Sequence, residues 1–252
     1  MLDFMHPHPL TMKSITENIN HDGFCFIAAV DTRALMGTLT DWSAFEASWN
    51  NMPLDTYMAD GGRYRRRRHA TLSVAPSAKQ ATLEAHQPHF QSLDYNNLNG
   101  GIARHFEPIR HEIINGTSMS ALLALCIRVF GALLPNRAWH VEVHQFRIEA
   151  GAQQPGMPTP EGVHRDGVNY VMVLMVKRHN IDEGTTTIHE PSGRQLASFT
   201  LTQPLDMTLV DDERCLHGVT PVLPINPGKP AYRDVLVITF RAKLHPNLKE
   251  TA

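Results

Sequence analysis

Residues 160–177 read PEGVHRDGVNYVMVLMVK, in which a polar, glycine-containing start leads into a long apolar run. The run predicts a β-strand over 163–177, because it is rich in valine and bounded by turn-forming residues. Side chains alternate along a strand, so His164 and Asp166 should share one face while Arg165 lies on the other. The stretch therefore predicts an imidazole and a carboxylate side by side.

A third ligand is expected from the stretch LVDDERCLHGV at 209–219, where His217 stands beside a glycine. Two histidines and one carboxylate occupy one face of an octahedron and leave three positions open, as in non-haem Fe(II) oxygenases. A lone His-x-Asp occurs often by chance, and only the combination with the second stretch indicates a metal site. Asp211 and Asp212 are alternative ligands, but they lack the same-face pairing and are assigned to a turn.

An arginine heads the last clear strand, YRDVLVITF at 232–240. By alternation Arg233 shares a face with apolar residues such as Val235, and a buried guanidinium is costly without an anionic partner. The far carboxylate of 2-oxoglutarate would satisfy it with a two-pronged pair. The alternative is that Arg233 faces solvent and pairs with Asp234, and Arg241, in the same phase, is the alternative anchor.

The rest of the chain predicts an α+β fold with a mainly β core. Helical spacing indicates three helices, capped by Thr11, Asp41 and Thr117, and a strand over 24–30 follows the first. Short extended runs separated by turns indicate a β-sandwich or a jelly-roll, cupin-like barrel as the core, with the helices packed outside. The candidate strands of that core are 139–149, 163–177, 185–189, 196–201, 207–211, 215–219 and 232–241.

We expect one domain over residues 1–252, with 1–136 as a supporting helix and strand layer and 137–245 as the core. Its 23 Lys+Arg against 25 Asp+Glu favour neither nucleic acid nor an anionic membrane as partner. No apolar run is long enough to span a bilayer, and the start MLDFMHPHPLTMK lacks a secretory pattern. Three scattered cysteines do not form a disulfide framework, so we expect a cytoplasmic protein.

Three strings together resemble a known family: PTPEGVHRDGVNYVMVLMVKRHNIDEGTTTIHE, LVDDERCLHGVTPV and YRDVLVITF. They are similar to the bacterial 2-oxoglutarate/Fe(II) dioxygenases related to L-isoleucine 4-hydroxylase. The likeness is strongest over 139–240 and extends weakly upstream through YRRRR at 64–68 and GGIARHF at 100–106.

The resemblance implies a double-stranded β-helix whose iron is held by His164, Asp166 and His217. It also implies that Arg233 binds 2-oxoglutarate. The activity implied is hydroxylation of a free, aliphatic L-amino acid with O2, while 2-oxoglutarate is converted to succinate and CO2.

Contacts to the substrate are less well indicated. Arg147 shares a phase with Gln145 and would bind the substrate carboxylate or, equally, form an outward ion pair. Tyr170 follows the metal motif in phase and would line either the pocket or the barrel core. The run 65–68, if extended, must turn one of its two alternating arginine pairs inward.

Two other functions fit the same residues. One is a cupin-type metal protein with non-oxygenase chemistry, and the other is a ligand sensor that retains the barrel. A small-molecule amino acid is the expected partner, and a homodimer is left open.

Overall fold

The computed structural model describes residues 10–243, which contain five helices and twelve strands. The expectation about a secretory start rests on residues 1–9, and the predicted core ran to 245; both stretches extend outside the described residues. The elements in chain order are α1 (Met12–Asp22), β1 (Phe24–Ile27), α2 (Ala29–Met36), α3 (Trp42–Ala47), β2 (Arg65–Val74), β3 (Thr82–Leu83), α4 (His111–Ile114), α5 (Thr117–Leu133), β4 (Trp139–Glu149), β5 (Tyr170–His179), β6 (Ile181–Glu183), β7 (Thr186–His189), β8 (Gln195–Phe199), β9 (Met207–Asp211), β10 (Leu216–Val219), β11 (Val222–Pro224) and β12 (Tyr232–Ala242).

The strands form one large and two small sheets. The large antiparallel sheet has the order β1-β9-β5-β12-β4-β2-β3, and the small ones are β10-β7-β8 and β11-β6. A hydrophobic cluster joins β5 and β12 of the large sheet to β7 and β8 of the small one, so these two sheets face each other. This arrangement confirms the predicted jelly-roll class.

The large sheet draws strands from both halves of the chain. Strands β1, β2 and β3 precede residue 136, yet they pair with β9, β4 and β2 respectively. The segment 1–136 is therefore not only a supporting layer, because it supplies part of the sheet. That the chain is one domain stays a prediction.

The two faces of the large sheet have different roles. Helices α1, α3 and α5 cover one face, where the ring of Phe130 stacks on Tyr170 at 4.8 Å between centroids. On β12, Leu236 and Ile238 point into this helix-covered core, while Val235 packs between the sheets. The face turned away from the helices is the one that can hold a ligand.

Helices α1 and α3 begin where the sequence predicts, directly after Thr11 and Asp41, whereas α5 begins one residue earlier than predicted. Thr11 caps α1 as predicted, since its Oγ1 accepts a hydrogen bond from the Ser14 backbone at 3.1 Å. Helix α3 begins after Asp41, but that carboxylate accepts instead from the Ser118 backbone at 2.9 Å. Asp41 therefore caps α5, and Thr117, predicted as its cap, is its first residue.

Two predicted strands are shorter than expected. The strand predicted over 24–30 ends at Ile27, and helix α2 begins at Ala29. The strand predicted over 163–177 begins only at Tyr170, so His164 and Asp166 lie in the irregular segment before β5. No helix within residues 10–243 is both long enough and apolar enough to cross a membrane.

Candidate metal centre and pocket

His164, Asp166 and His217 come together at one end of the barrel. The Nε2 atom of His164 lies 3.5 Å from Asp166 Oδ1, and the Nε2 atom of His217 lies 3.7 Å from Asp166 Oδ2. One ligand atom from each residue lies within 4.8 Å of the others. Three donors of this kind, gathered on one side of a shared point, match the two-histidine, one-carboxylate arrangement of non-haem iron sites.

A backbone bridge, rather than a strand, joins the two histidines. The N–H of His164 donates to the carbonyl of His217 at 2.9 Å, and the N–H of His217 donates back at 2.9 Å. His164 also donates through Nδ1 to the carbonyl of Gly162 at 3.0 Å. That bond fixes the tautomer, so the Nε2 lone pair faces the metal position.

The buried carboxylate of Asp212, which lies in a turn as predicted, holds the loop that carries Asp166. Asp212 accepts hydrogen bonds from the backbone N–H groups of Asp166 at 3.0 Å, Gly167 at 2.8 Å and Val168 at 3.1 Å. Gly167 has φ +78°, and a Cβ there would lie 2.4 Å from the ring of Tyr95. The loop therefore depends on a glycine and on Asp212 to aim the Asp166 side chain.

The charges at the centre suit a metal ion. Burial alone would raise the pKa of Asp166, but hydrogen bonding to His164 and the nearby His217 hold that pKa well below its usual range. Burial and the neighbouring His164 lower the pKa of His217 to about 4. Asp166 is thus ionised and His217 neutral near pH 7, the forms that bind a metal. Burial alone would lower the pKa of His164, but hydrogen bonding to Asp166 and the charge of Glu161 raise that pKa to about 9, so a metal binding there would displace a proton.

Arg233 lies in the same cavity, as its phase on β12 predicted. Its side chain is 2% exposed, and its Nε and one Nη find no hydrogen-bond partner among the described residues. Burial, with a contribution from Arg178, lowers its pKa to about 9. Arg241, the alternative anchor, also borders the cavity but is exposed. A buried cation without a partner indicates that an anion belongs beside Arg233.

The cavity between the sheets has a volume of about 250 Å³. Its floor includes valine side chains of β5 and β12, and the segment that contains His89 and Tyr95 forms one wall. The metal triad, Arg233 and several charged residues of β2 and β4 all border it. One cavity therefore holds the candidate metal position and the candidate anion position together.

The structure does not bring Arg147 to this cavity, which corrects the prediction that it contacts substrate. Arg147 forms a two-pronged ion pair with Asp234, with both N···O distances 2.7 Å, and its guanidinium stacks on the Tyr232 ring. Asp234 is fully buried. The pairing belongs to the helix-covered side of the sheet, so Arg147 has a structural role.

Gln145 and Tyr170, the other two predicted substrate contacts, also point to the helix side. Gln145 donates to the hydroxyl of Ser48 at 2.7 Å, and Tyr170 stacks on Phe130. On β4 the residues that border the cavity are the alternate set, His140, Glu142, His144, Phe146 and Ile148. The predicted phase of β4 was therefore wrong by one residue.

A second cluster of residues that can bind a metal involves β2 and β4 and was not predicted from the sequence. His69, His89, Glu142 and His144 place ligand atoms within 4.8 Å of one another. Arg67, which can only donate, gives a hydrogen bond to His144 Nδ1 at 2.8 Å, so His144 Nε2 must carry a proton. His144 then has no free lone pair for a metal. We interpret the cluster as a hydrogen-bonded network around the Glu142 carboxylate.

The pairing of β2 with β4 determines which arginines of the run 65–68 face the cavity. Arg65 and Arg67 turn into the cavity, whereas Arg66 and Arg68 form ion pairs with Glu149 and Glu107 on the outside. Arg104 and Glu161 also border the cavity, and sequence reasoning did not select them. Both had a weak signal, since Arg104 lies in the GGIARHF stretch and Glu161 in the metal motif itself.

Comparisons with known proteins agree with this geometry. A family model described as 2OG-Fe dioxygenase matches residues 46–239. The L-isoleucine-4-hydroxylase of Bacillus thuringiensis is 25% identical, over 79% of this chain and 82% of its own. The 3(1)-hydroxy-L-isoleucine 4-dioxygenase of Pantoea ananatis is 24% identical, over 91% of this chain and 96% of its own.

Solved structures give the same picture. A bsmA homolog from Methylobium petroleophilum superposes with a TM-score of 0.85 at 36% identity, over 94% of this chain and 96% of that one. The protein IDO from Bacillus thuringiensis superposes with a TM-score of 0.78 at 17% identity, over 93% and 100%. The second likeness shows the fold alone.

Proposed function

Since the chain belongs to the 2OG-Fe dioxygenase family and is a 2-oxoglutarate-dependent non-haem iron dioxygenase, we propose that it hydroxylates a free L-amino acid. The substrate has an aliphatic side chain and is oxidised at an unactivated carbon. Support comes from the names of two similar enzymes, which act on L-isoleucine and on a hydroxylated L-isoleucine. The cavity of about 250 Å³ suits a molecule of this size.

The residues present fit Fe(II). His164, Asp166 and His217 offer two imidazoles and one carboxylate from a single side, with His164 held in the required tautomer by Gly162. Three positions then stay open for 2-oxoglutarate and O2. The bound metal and cosubstrate supply the oxidation, in which 2-oxoglutarate gives succinate and CO2.

Arg233 is proposed to bind the far carboxylate of 2-oxoglutarate. Its unpaired Nε and Nη are two neighbouring donors of one guanidinium, the geometry that grips a carboxylate in two places. It stands on β12, whose inward face continues with Val235 and Val237. These apolar neighbours exclude water around the ion pair and strengthen it.

The rest of the cavity positions the substrate. Val173 and Phe146 add apolar surface opposite the metal triad, where an aliphatic side chain would be buried. The arginines of β2, together with Arg104 and Glu161 from irregular segments, provide polar contacts for its charged groups. The single observation that carries the proposal is that the His-Asp-His triad and the unpaired Arg233 share one cavity.

An assay of the reconstituted enzyme tests this function. The protein is loaded with Fe(II) under anaerobic conditions, then given 2-oxoglutarate, air and each of the twenty amino acids separately. We expect one or a few aliphatic amino acids to gain a single oxygen atom, with one succinate formed for each product molecule. The alternative of a ligand sensor predicts no succinate and no oxygen uptake with any of them.

Cupin-type chemistry that does not use oxygen is not supported. It requires no cosubstrate anchor, whereas Arg233 is buried, unpaired and turned toward the triad's cavity. The family match over 46–239 also covers the triad and Arg233 together.

A further inference from the structure

Three buried arginines converge on the wall of the cavity away from Arg233. Arg65 and Arg67 project from β2, and Arg104 comes from the irregular segment before α4. They share one fully buried carboxylate, Asp55, which receives a hydrogen bond from Arg65 Nε at 2.8 Å and lies 3.8 Å from Arg67 Nη1. Glu142 and Glu161 act on Arg67 or Arg104 at longer range, but among the described residues only Asp55 lies within ion-pair distance of these guanidiniums.

Two of these arginines keep unused donors. Among the described residues, the Nε atoms of Arg67 and Arg104 are buried and have no hydrogen-bond partner. Arg104 is 1% exposed, and its guanidinium makes a long hydrogen bond, 3.5 Å from Nη2 to the amide oxygen of Gln91. Leaving a buried charged donor unsatisfied is costly, so an anionic ligand group is expected here.

This anion position is separate from the one at Arg233. Arg65 on β2 and Arg233 on β12 both pair with Ile148 of the intervening strand β4, from opposite sides. Neighbouring strands are about 4.8 Å apart, which separates the two backbones by roughly 10 Å. The donors of Arg233 and those of the β2 arginines therefore come from different strands on either side of β4, an arrangement that suits one anion at each.

An unused acceptor lies beside the second anion position. Glu161 borders the cavity, and its Oε2 atom is buried without a hydrogen-bond partner among the described residues. Its other oxygen lies 3.4 Å from His164 Nε2, at the edge of the metal triad. Glu161 is also close enough to Arg104 for their charges to interact. Unused donors and an unused acceptor therefore stand next to each other near the metal position.

We propose that Arg67 and Arg104 bind the α-carboxylate of the substrate and that Glu161 binds its α-ammonium group. The inference rests on the proposed function and defines the substrate as a zwitterion. An amide in place of the carboxylate would leave the arginines unsatisfied, and an N-acyl group would leave Glu161 without its cation. Peptides and N-modified amino acids should therefore be poor substrates.

The guanidinium of Arg67 is held ready for this role. It stacks on the ring of Phe106 at 3.8 Å and on Phe146 at 4.5 Å from the ring centroids, and it donates to His144 at 2.8 Å. Its orientation is thereby fixed before the ligand arrives, which reduces the entropy lost on binding. Arg104, with fewer contacts, is the better position for a substitution that leaves the fold intact.

The test measures binding by calorimetry, with Mn(II) in place of iron and saturating 2-oxoglutarate. The probes are the amino acid that gives most product in the panel, its amide and its desamino analogue. The proteins are the natural chain, Arg104→Gln, Glu161→Gln and the control Arg66→Gln, whose side chain pairs with Glu149 outside the cavity. The melting temperature and the 2-oxoglutarate Kd of each variant check its fold and its first anion position.

Arg104→Gln should raise the Kd of the amino acid about 10- to 100-fold and leave the Kd of the amide unchanged. Glu161→Gln should weaken the amino acid by a similar factor and leave the desamino analogue unchanged. Equal losses for the amino acid and its analogue would overturn the assignment, as would a Glu161→Gln protein that no longer binds Mn(II). If the natural enzyme oxidises an amino acid and both variants bind that amino acid with unchanged affinity, only this inference is refuted. If the natural enzyme oxidises none of the twenty amino acids, the proposed function is refuted.

Discussion

The carboxylate of Asp212 accepts a hydrogen bond from the backbone N–H of Gly167 at 2.8 Å, directly after the proposed iron ligand Asp166. Two further N–H groups, those of Asp166 and Val168, donate to the same carboxylate. Asp212 does not face the metal position as a member of the triad, yet it fixes the loop that carries one ligand. In metalloproteins, mutating such a supporting group typically lowers metal affinity or activity by about 10- to 100-fold.

Replacing Asp212 with Asn should weaken metal binding by roughly 10- to 100-fold, because the amide NH2 group would replace one acceptor oxygen and face at least one of the three backbone N–H donors. Mn(II) affinity measured by calorimetry checks this. The matched control is Asp211→Asn, whose side chain accepts from Glu213 and does not contact the loop. A variant at Asp212 that binds Mn(II) as tightly as the control would show that the loop holds its shape without this carboxylate.

Replacing Arg233 with Lys should raise the Kd of 2-oxoglutarate by about 10- to 100-fold, since a single ammonium cannot make the two-pronged pair. The control is Arg241→Lys, which lies on the same face of β12 but is exposed. It should leave that Kd within about a factor of two of the natural value. If the control lost affinity and the Arg233 variant did not, the anchor would be Arg241.

Substitutions at Gly162 and Gly167 separate the effect of backbone strain from the effect of a steric clash. Both have a left-handed φ, but a Cβ at Gly162 meets nothing within 4 Å, whereas one at Gly167 meets the Tyr95 ring at 2.4 Å. Gly162→Ala should lower the free energy of unfolding by about 1 kcal/mol through strain alone. Gly167→Ala should lower it further, and adding Tyr95→Ala should recover the difference.

Urea denaturation of the four proteins measures these changes. Equal losses for Gly162→Ala and Gly167→Ala, with no recovery from Tyr95→Ala, would mean that Tyr95 moves aside freely. Tyr95 would then not restrict the position of the Asp166 loop.

Arg147 should matter for stability rather than for substrate affinity. Arg147→Met leaves the fully buried Asp234 without its partner, which should lower the free energy of unfolding by about 3 kcal/mol. The double variant Arg147→Met with Asp234→Leu should recover most of that loss, because no buried charge remains. Denaturation curves check the stability, and an unchanged KM for the amino acid checks the role. A large rise in KM with little loss of stability would restore Arg147 as a substrate contact.

The sequence predicts most of what depends on alternation within one well-placed strand. Arg233 was assigned to the inward face because one side of β12 carries it together with Val235 and Val237, and the structure confirms that phase. The number and spacing of short strands indicated a sandwich or a jelly roll, and the resemblance to the dioxygenases implied the jelly roll. The metal triad followed from residue types whose spacing suits a two-histidine, one-carboxylate site.

Strand β4 shows where this reasoning fails. Both of its faces are buried, one by helices and one by the cavity, so hydrophobicity does not reveal which side is which. Arg147 and Gln145 were therefore placed on the wrong face. An arginine inside the helix-covered side is explained only by Asp234 on the neighbouring strand, and a single sequence does not indicate that pairing.

Residues from irregular segments were the hardest to find. Asp212 contacts a loop more than forty positions earlier in the chain, and Arg104 reaches the cavity from a segment without helix or strand. Neither position belongs to a periodic pattern, so only the folded chain brings them to the site. Glu161 lies within the motif, yet its unpaired oxygen becomes meaningful only once its burial is known.

A crystal structure with Fe(II) and 2-oxoglutarate, grown without oxygen and with anomalous data at the iron edge, tests the central claim most directly. We expect one anomalous peak within about 2.2 Å of a ligand atom from each of His164, Asp166 and His217. The far carboxylate of 2-oxoglutarate should contact both free nitrogens of Arg233. A peak at the His69, His89 and Glu142 cluster, or a 2-oxoglutarate bound away from Arg233, would contradict the account.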